Sequence, residues 1–200
     1  MKQLGLVAVA LMMAAICAGQ TMPAANGVSP HGGMQNSQGV PASSQNDFGT
    51  ACGIRDSSSQ SAMRFSRTPE GEWSAAGEEK RLGPSNTAVA RVWRESNWMV
   101  DMHDAMGPGM TTMHTTQMCF DARGQITHMI DRYMDMPSCG CMRYTSLSFN
   151  ASGNVARREQ RFVSVTTGSE IAVPESAEAF PEVFRFRRLE QLPFYSLVKK

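Results

Sequence analysis

The side chains with the greatest capacity for chemistry are concentrated in one central stretch of the chain. Ten of the sixteen methionines lie between Met99 and Met142, together with three of the four histidines and three of the five cysteines. Thioether, imidazole and thiol groups are the ligands that soft metals such as Cu(I) prefer. The sequence has no nucleophile elbow, zinc-protease helix motif or phosphate-binding loop. It therefore favours a non-enzymatic protein, with Cu(I) as the candidate cofactor.

The first residues predict export from the cytoplasm. Lys2 precedes an apolar run over residues 4–18, which small and polar residues follow, and this order is typical of a secretory signal peptide over residues 1–19. The run is about fifteen residues long, too short for a membrane span, so we expect a secreted or periplasmic protein without a transmembrane segment. Cys17 would carry the lipid anchor of a bacterial lipoprotein, but Ile16 stands where such signals have a small residue. We therefore expect this cysteine to be removed with the signal peptide.

Composition divides the remaining chain into a linker and one domain. Residues 20–47 are rich in Gly, Ser, Gln, Asn and Pro, and this composition predicts a flexible linker. Residues 48–200 have the length of a single domain with its own core. Its apolar tail, residues 192–198, is expected to dock on the domain as an extended segment. The formal net charge is only +1 and no basic block is interleaved with aromatic residues, which argues against a nucleic-acid partner.

A repeated turn indicates how the domain is built. Residues 120–126 (Phe-Asp-Ala-Arg-Gly-Gln-Ile) match residues 149–155 (Phe-Asn-Ala-Ser-Gly-Asn-Val) at an offset of twenty-nine residues. In each copy Asp or Asn opens a tight turn, and Gly supplies the positive φ that closes it. A tight first turn would make Phe120 face Gln125. Two copies are too few for a solenoid, so they predict successive hairpins of one antiparallel meander.

Short segments rich in strand-forming residues flank these turns and recur upstream of them. The predicted strands cover residues 62–67, a segment from Trp73, and residues 88–94, 98–103, 111–120, 125–135, 142–149 and 154–165. This spacing predicts an all-β domain, an antiparallel meander that is a curved sheet or is closed into a barrel. At most short helical turns are expected, near residues 75–82 and 175–179. Arg157 to Arg161 put charge or amide groups on both sides of the last strand, which predicts a sheet edge.

The meander also restricts the disulfides. Cys119 lies beside the first turn, whereas Cys139 and Cys141 lie beyond the far end of the following strand, on the order of 35 Å away. A disulfide requires Cα atoms within about 7 Å. The favoured pairing is therefore Cys52 with Cys119 and Cys139 with Cys141. The competing arrangement joins Cys52 to Cys139 or Cys141 and leaves two free thiols.

The same topology brings two loops to one end of the sheet, opposite the first turn. Connections in an up-and-down sheet alternate between its ends, so the loops near residues 104–110 and 135–141 share one rim. Soft ligands then converge on this rim: Met102, His103, Met106, Met110, Met113, Met134, Met136, Cys139, Cys141 and Met142. The leading specific hypothesis is a Cu(I) site here, built from two or three sulfurs and His103, although packing of the methionines is the favoured explanation. His128 is excluded because it lies nearer the turn.

Three other interpretations of these residues stay open. Methionine also fills irregular gaps in β cores, and this role is expected within strands for Met99, Met118 and Met129. The Cys139-Gly140-Cys141 segment would form a small, easily reduced ring suited to thiol–disulfide exchange. The domain is otherwise a binding module for an apolar ligand or a protein partner. Its cavity, if the aromatic side chains do not simply form the core, would be lined by Trp73, Trp93, Trp98, Phe184 and Phe186.

Polar residues on the strands predict structural roles. His114 is expected to face Asp131 across a strand pair and to hydrogen-bond its carboxylate. His103 with Asp101 and Asp104 is interpreted as a solvated turn at a strand end, rather than as a general acid–base group. We therefore assign no catalytic residue.

Overall fold

The structure is a computed structural model, and it describes residues 45–58, 61–77, 81–83, 86–106, 111–180 and 186–199. The predicted signal peptide with Cys17 lies outside these ranges, as does the predicted linker up to residue 44. Met110, Phe184 and the side chain of Met106 also lie outside the described part of the chain. The described residues form one large antiparallel sheet with a few short helices, so the predicted all-β class is confirmed.

The sheet has nine strands in the order β2-β1-β3-β4-β5-β6-β7-β8-β9, and all neighbours are antiparallel. The strands are β1 (Met63–Arg67), β2 (Trp73–Ala75), β3 (Ala88–Arg94), β4 (Trp98–Met106), β5 (Thr112–Phe120), β6 (Ile126–Asp135), β7 (Cys141–Phe149), β8 (Val155–Ser164) and β9 (Glu170–Ile171). From β3 onward each strand pairs with the next along the chain, as a meander requires, whereas β1 lies between β2 and β3. In the described chain β2 and β9 are the two edge strands, and they do not pair with each other. The sheet is therefore open, and the alternative that it closes into a barrel is wrong.

The helices within the described ranges are short. They are α1 (Gln45–Ala51), α2 (Tyr195–Val198) and two 3₁₀ turns, Glu175–Ala179 and Leu189–Gln191. The predicted helical turn at residues 175–179 is confirmed. The described part of residues 75–82 is not helical, because Ala75 ends β2 in a ladder with β1.

The repeated turns are the same structure twice. The Asp121 carboxylate accepts hydrogen bonds from the backbone N–H groups two and four residues later, both at 2.9 Å. The side-chain oxygen of Asn150 does the same at 3.0 Å, and the glycines that close the turns have φ of 76° and 75°. A β-bulge beside each turn shifts the register. Phe120 therefore pairs with Ile126, whereas the predicted partner was Gln125.

Residues 186–199 pack against one face of the sheet, which is here called the tail face. Phe194 is fully buried there, with its ring centroid 4.9 Å from that of Phe65 and 4.7 Å from that of Trp73. The predicted docking of the tail is thus confirmed. Its extended conformation is wrong over Tyr195–Val198, because coiling into α2 brings three more apolar side chains of this segment against the core.

The helix face is the opposite surface, against which α1 packs. Its buried core consists of Phe48, Cys52, Ile54, Trp93, Met99, Cys119 and Ile130. Trp93 lies in this core, whereas Trp73 and Trp98 pack against the core of the tail face. The three tryptophans therefore belong to the two cores, as the preferred interpretation expects, and do not line one cavity together. The methionines expected to pack within strands are all buried: Met99, Met118 and Met129.

The eighth strand has the predicted character of a sheet edge. Arg157 to Gln160 are exposed and pair only with β7, whereas β9 covers just Phe162 and Val163. Charge on both sides of this segment suits a strand that has a neighbour on one side only.

Candidate functional site

Two disulfides link the four cysteines of the described chain. Cys52, just after α1, is bonded to Cys119 near the end of β5, with a Cα–Cα distance of 5.6 Å. Cys139 is bonded to Cys141 with a Cα–Cα distance of 5.1 Å. This is the pairing favoured from the sequence. It also removes both rim cysteines as thiolate ligands for as long as their bond is intact.

The predicted rim is present in the backbone. One row of paired residues crosses this end of the sheet, through Met106, Thr112, Asp135 and Cys141. The backbone N–H of Met136 donates to the carbonyl of Thr111 at 3.3 Å, which ties the loop after β6 to the start of β5. The connections after β4 and β6 therefore share one end of the sheet, as the meander predicts.

Side chains predicted to converge at the rim are divided between the two faces. Met102 is buried in the core of the tail face, and Cys141 is buried on that same face in a cluster with Phe180. His103 lies on the helix face, where its ring nitrogens contact Asp101 at 3.0 Å and Thr115 at 3.2 Å. Met102, His103 and Cys141 consequently do not come together.

Three methionines of the rim do come together. Met113 of β5 pairs with Met134 of β6, which pairs in turn with Met142 of β7. These residues, here called the methionine row, lie side by side on the helix face. Met113 is 36% exposed, and the other two are partly buried. Directly opposed residues have Cβ atoms about 4.5–5.5 Å apart, a separation that flexible thioether side chains can bridge.

A buried carboxylate occupies the middle of the tail face. Asp131 is 0% exposed, with Oδ1 2.5 Å from Nε2 of His114 and 3.3 Å from Oγ1 of Thr116. Nη2 of Arg143 donates to the other carboxylate oxygen at 3.2 Å. The predicted contact of His114 with Asp131 is confirmed, although His114 pairs with Tyr133 and reaches the carboxylate diagonally. These partners offset the cost of burying the charge.

A second buried carboxylate lies on the helix face. Asp101 is 2% exposed, and its Oδ2 lies 2.7 Å from Nη2 of Arg91 and 3.0 Å from Nε2 of His103. Burial alone would raise the pKa of Asp101, but hydrogen bonds and charge from His103 and Arg91 outweigh burial and hold the pKa below its ordinary value. Asp104, on the other face, pairs with Arg67 at 3.0 Å. The interpretation of this segment as a solvated turn is wrong, because β4 continues past it and pairs on both sides.

Sequence reasoning missed the ion pair between Arg91 and Asp101. The signal is nevertheless present in the chain, because the predicted strands 88–94 and 98–103 are adjacent in the meander and only residues 95–97 separate them. In a hairpin whose turn is centred on residue 96, residues equally far from that position lie opposite each other. Arg91 and Asp101 are such a pair, and they are paired in the structure. The ion pair is therefore a consequence of a register that was available from the sequence.

These observations define the class of protein as an all-β domain on one open antiparallel sheet, with two disulfides and a buried carboxylate on each face. No protein-family model, curated protein or solved structure matches the chain. None of the helices in the described ranges is long and apolar enough to cross a membrane. Histidine, cysteine and carboxylate side chains of the described residues form no group of three or more that could hold a metal ion. Among the described rim residues, the methionine row brings three soft ligands next to one another.

Proposed function

We propose that the chain is an exported, non-enzymatic protein that binds Cu(I) through the thioethers of Met113, Met134 and Met142. The observation that carries this proposal is the strand register, which aligns methionines from three neighbouring strands on one face. Thioether sulfur is a soft donor suited to Cu(I). Unlike thiols, thioethers do not pair into disulfides in the oxidising compartment to which a signal peptide directs a protein.

The proposed ligand set is narrower than the one predicted from the sequence. It leaves out Met102, which is buried in a core, and the cysteines Cys139 and Cys141, which are bonded to each other. His103 is left out because both of its ring nitrogens contact protein oxygens. Met136, 45% exposed and directly after β6, is the next available thioether and would complete the coordination from the loop.

Exposure distinguishes Met113 of the methionine row from methionines that only fill space. Met99 and Met118 are 0% exposed, as packing in a β core requires. Met113 leaves 36% of its surface accessible at the same end of the sheet as the exposed Met136. Core packing accounts for the fully buried methionines, whereas the thioether of Met113 remains open to solvent. Cu(I) can reach an exposed thioether directly from solvent, so this exposure supports the binding role.

Titration of the purified chain with Cu(I) against a chromogenic Cu(I) chelator tests the proposal. We expect the wild-type protein to bind Cu(I) more tightly than micromolar. The variant with Met113→Leu, Met134→Leu and Met142→Leu should bind at least about tenfold more weakly, a change of about 1.4 kcal/mol. Leucine keeps nearly the same volume, so the packing of the sheet is preserved.

Met63→Leu is the matched control, because Met63 is a partly buried methionine at the other end of the sheet, on β1 and the tail face. Its affinity for Cu(I) should equal that of the wild type. No binding tighter than micromolar, or unchanged binding by the triple leucine variant, would contradict the proposal. Binding that emerges only after reduction would assign the metal to the cysteines instead.

A second candidate function is thiol–disulfide exchange at the Cys139–Cys141 bond, and unequal exposure of the two sulfurs favours it. Cys141 is 0% exposed, whereas Cys139 is partly exposed. A thiolate of a dithiol partner would attack Sγ of Cys139 and release Cys141 as the thiolate. The partner's second thiol would then displace Cys139, leaving both cysteines reduced and the partner oxidised.

Alkylation after graded reduction tests this second function. We expect mass spectrometry to find label on Cys139 and Cys141 at reductant concentrations that leave Cys52 and Cys119 bonded. The Cys139–Cys141 bond should be reduced more easily because it closes a very small ring. Cys52 and Cys119 are both 2% exposed and provide the internal control. Simultaneous labelling of all four cysteines would contradict an exchange role.

A further inference from the structure

The two most exposed methionine side chains of the described chain lie at the same end of the sheet. Met136 is 45% exposed and Met113 is 36% exposed, and the backbone hydrogen bond from Met136 to Thr111 holds their segments together at the rim. We infer that Met113 and Met136 form a reversible oxidation site, where a peroxide converts each thioether to a sulfoxide and switches Cu(I) binding off. The loss of Cu(I) binding rests on the proposed function, whereas the oxidation does not.

A thioether is oxidised by direct attack of its sulfur on the peroxide. A sulfur lone pair attacks one oxygen of hydrogen peroxide, so that an S–O bond forms and the O–O bond breaks. The sulfur gives up two electrons, and the departing hydroxide takes the proton of the transferred oxygen and leaves as water. The product, methionine sulfoxide, is polar, and methionine sulfoxide reductases convert it back to methionine. The modification is therefore reversible.

Thioethers are the sulfur groups that remain open to this reaction in the described chain. Cysteine is oxidised through its thiolate, and a thiolate would consume the peroxide first. Cys52 is bonded to Cys119, and Cys139 is bonded to Cys141. The described residues consequently offer no thiolate that competes with the methionines.

Burial confines the reaction to the rim. Met99 and Met118 are 0% exposed and Met129 is 3% exposed, so peroxide reaches their sulfurs only when the structure opens locally or globally. A sulfoxide at these positions would place a polar group in an apolar core. On Met113 and Met136 the added oxygen stays accessible to water. The fold should therefore tolerate oxidation at the rim and resist it in the core.

Oxidation changes the type of donor that the methionine row offers. Met113 pairs with Met134, which pairs in turn with Met142. A sulfoxide presents a hard oxygen atom, whereas Cu(I) prefers soft sulfur. Oxidation of Met113 thus removes one of the three proposed ligands. Oxidation of Met136 removes the thioether that would complete the coordination from the loop.

Peptide mapping by mass spectrometry, after graded doses of hydrogen peroxide, tests the oxidation site. In the folded chain Met113 and Met136 should be oxidised at least about tenfold faster than Met129, because susceptibility follows exposure. In urea, where burial is lost, the three rates should be similar. Met129 is a clean internal control, since it is the single methionine of the tryptic peptide 124–132. Circular dichroism should report the same fold before and after the rim is oxidised.

Titration of the oxidised chain with Cu(I), after removal of the peroxide, tests the switch. The affinity should fall at least about tenfold and return after treatment with reductases for both sulfoxide epimers. Met129→Leu is the matched control, because it replaces a buried core methionine with a residue of similar volume. This variant should equal the wild type before oxidation and lose the same affinity after it.

The outcomes separate this inference from the proposed function. Equal folded-state rates for Met113, Met136 and Met129 would overturn the oxidation site. Full Cu(I) affinity with Met113 and Met136 oxidised would overturn the switch. A chain that binds no Cu(I) before oxidation would contradict the proposed function and the switch that depends on it, while the ratio of oxidation rates still decides on the oxidation site.

Discussion

Removal of the Cys52–Cys119 disulfide should lower the free energy of unfolding much more than removal of Cys139–Cys141. The first bond spans a sequence separation of 67 residues, and the second spans 2. Loop-closure entropy in the unfolded chain then amounts to about 4.4 kcal/mol for the first bond and about 1.2 kcal/mol for the second at 25 °C. The Cys52–Cys119 bond also links the end of α1 to the sheet. Without this bond, α1 is held less firmly over the core of the helix face.

Urea unfolding of two double variants, under the same non-reducing conditions, measures this difference. Cys52→Ala with Cys119→Ala is compared with Cys139→Ala with Cys141→Ala, and tryptophan fluorescence reports the transition because Trp93 is 1% exposed in the folded state. Each kcal/mol lost should lower Tm by roughly 2–4 °C in a domain of this size. A loss below about 2 kcal/mol for the first pair, or a larger loss for the second pair, would refute the reasoning.

Three further predictions concern the buried charges and the first turn. Asp131→Ala should cost about 3–5 kcal/mol in urea unfolding, because it leaves a buried arginine without its carboxylate; a cost near zero would show that the pair contributes nothing. The folded-state pKa of Asp101 is depressed, so its stabilisation is complete above the unfolded value of about 3.9 and is lost as the pH falls through the lower folded value. Asp101→Asn should therefore show a shallower loss of stability below pH 4 than the wild type, and parallel curves would contradict this. Gly124→Ala should cost about 1–2 kcal/mol, since φ is +76° and the new Cβ would lie 3.3 Å from Leu189, whereas Gly77→Ala, with open space around it, should be neutral.

Local signals in the sequence made the meander predictable. The two Asp/Asn and Gly turns fix hairpins at known positions, and the strands between them follow within one or two residues of their observed bounds. The separation of Cys119 from Cys139 follows from strand length alone, so a bond between them could be excluded without any knowledge of packing. The observed pairing was the favoured one of the arrangements that remained. The contact of His114 with Asp131 depends only on adjacent strands, and it was predictable for the same reason.

The division of side chains between two faces could not be derived from the loops. Residues that approach one rim along the chain, such as Met102 and His103, alternate between opposite faces and end in different environments. The bulge beside Phe120 shifts the register, and no feature of the local sequence predicts this bulge. The four-residue helix after Pro193 is too short to show helical periodicity, and tertiary contacts with the core stabilise it.

X-ray absorption spectroscopy of the Cu(I)-loaded protein tests whether thioethers bind the metal, because it identifies the atoms around the copper. We predict a coordination shell of three sulfur scatterers, joined by a fourth if Met136 binds, without a nitrogen contribution from His103. This shell should be lost when Met113, Met134 and Met142 are replaced by leucine and retained in Met63→Leu. A shell dominated by nitrogen, or a sulfur shell that persists in the triple variant, would contradict the account.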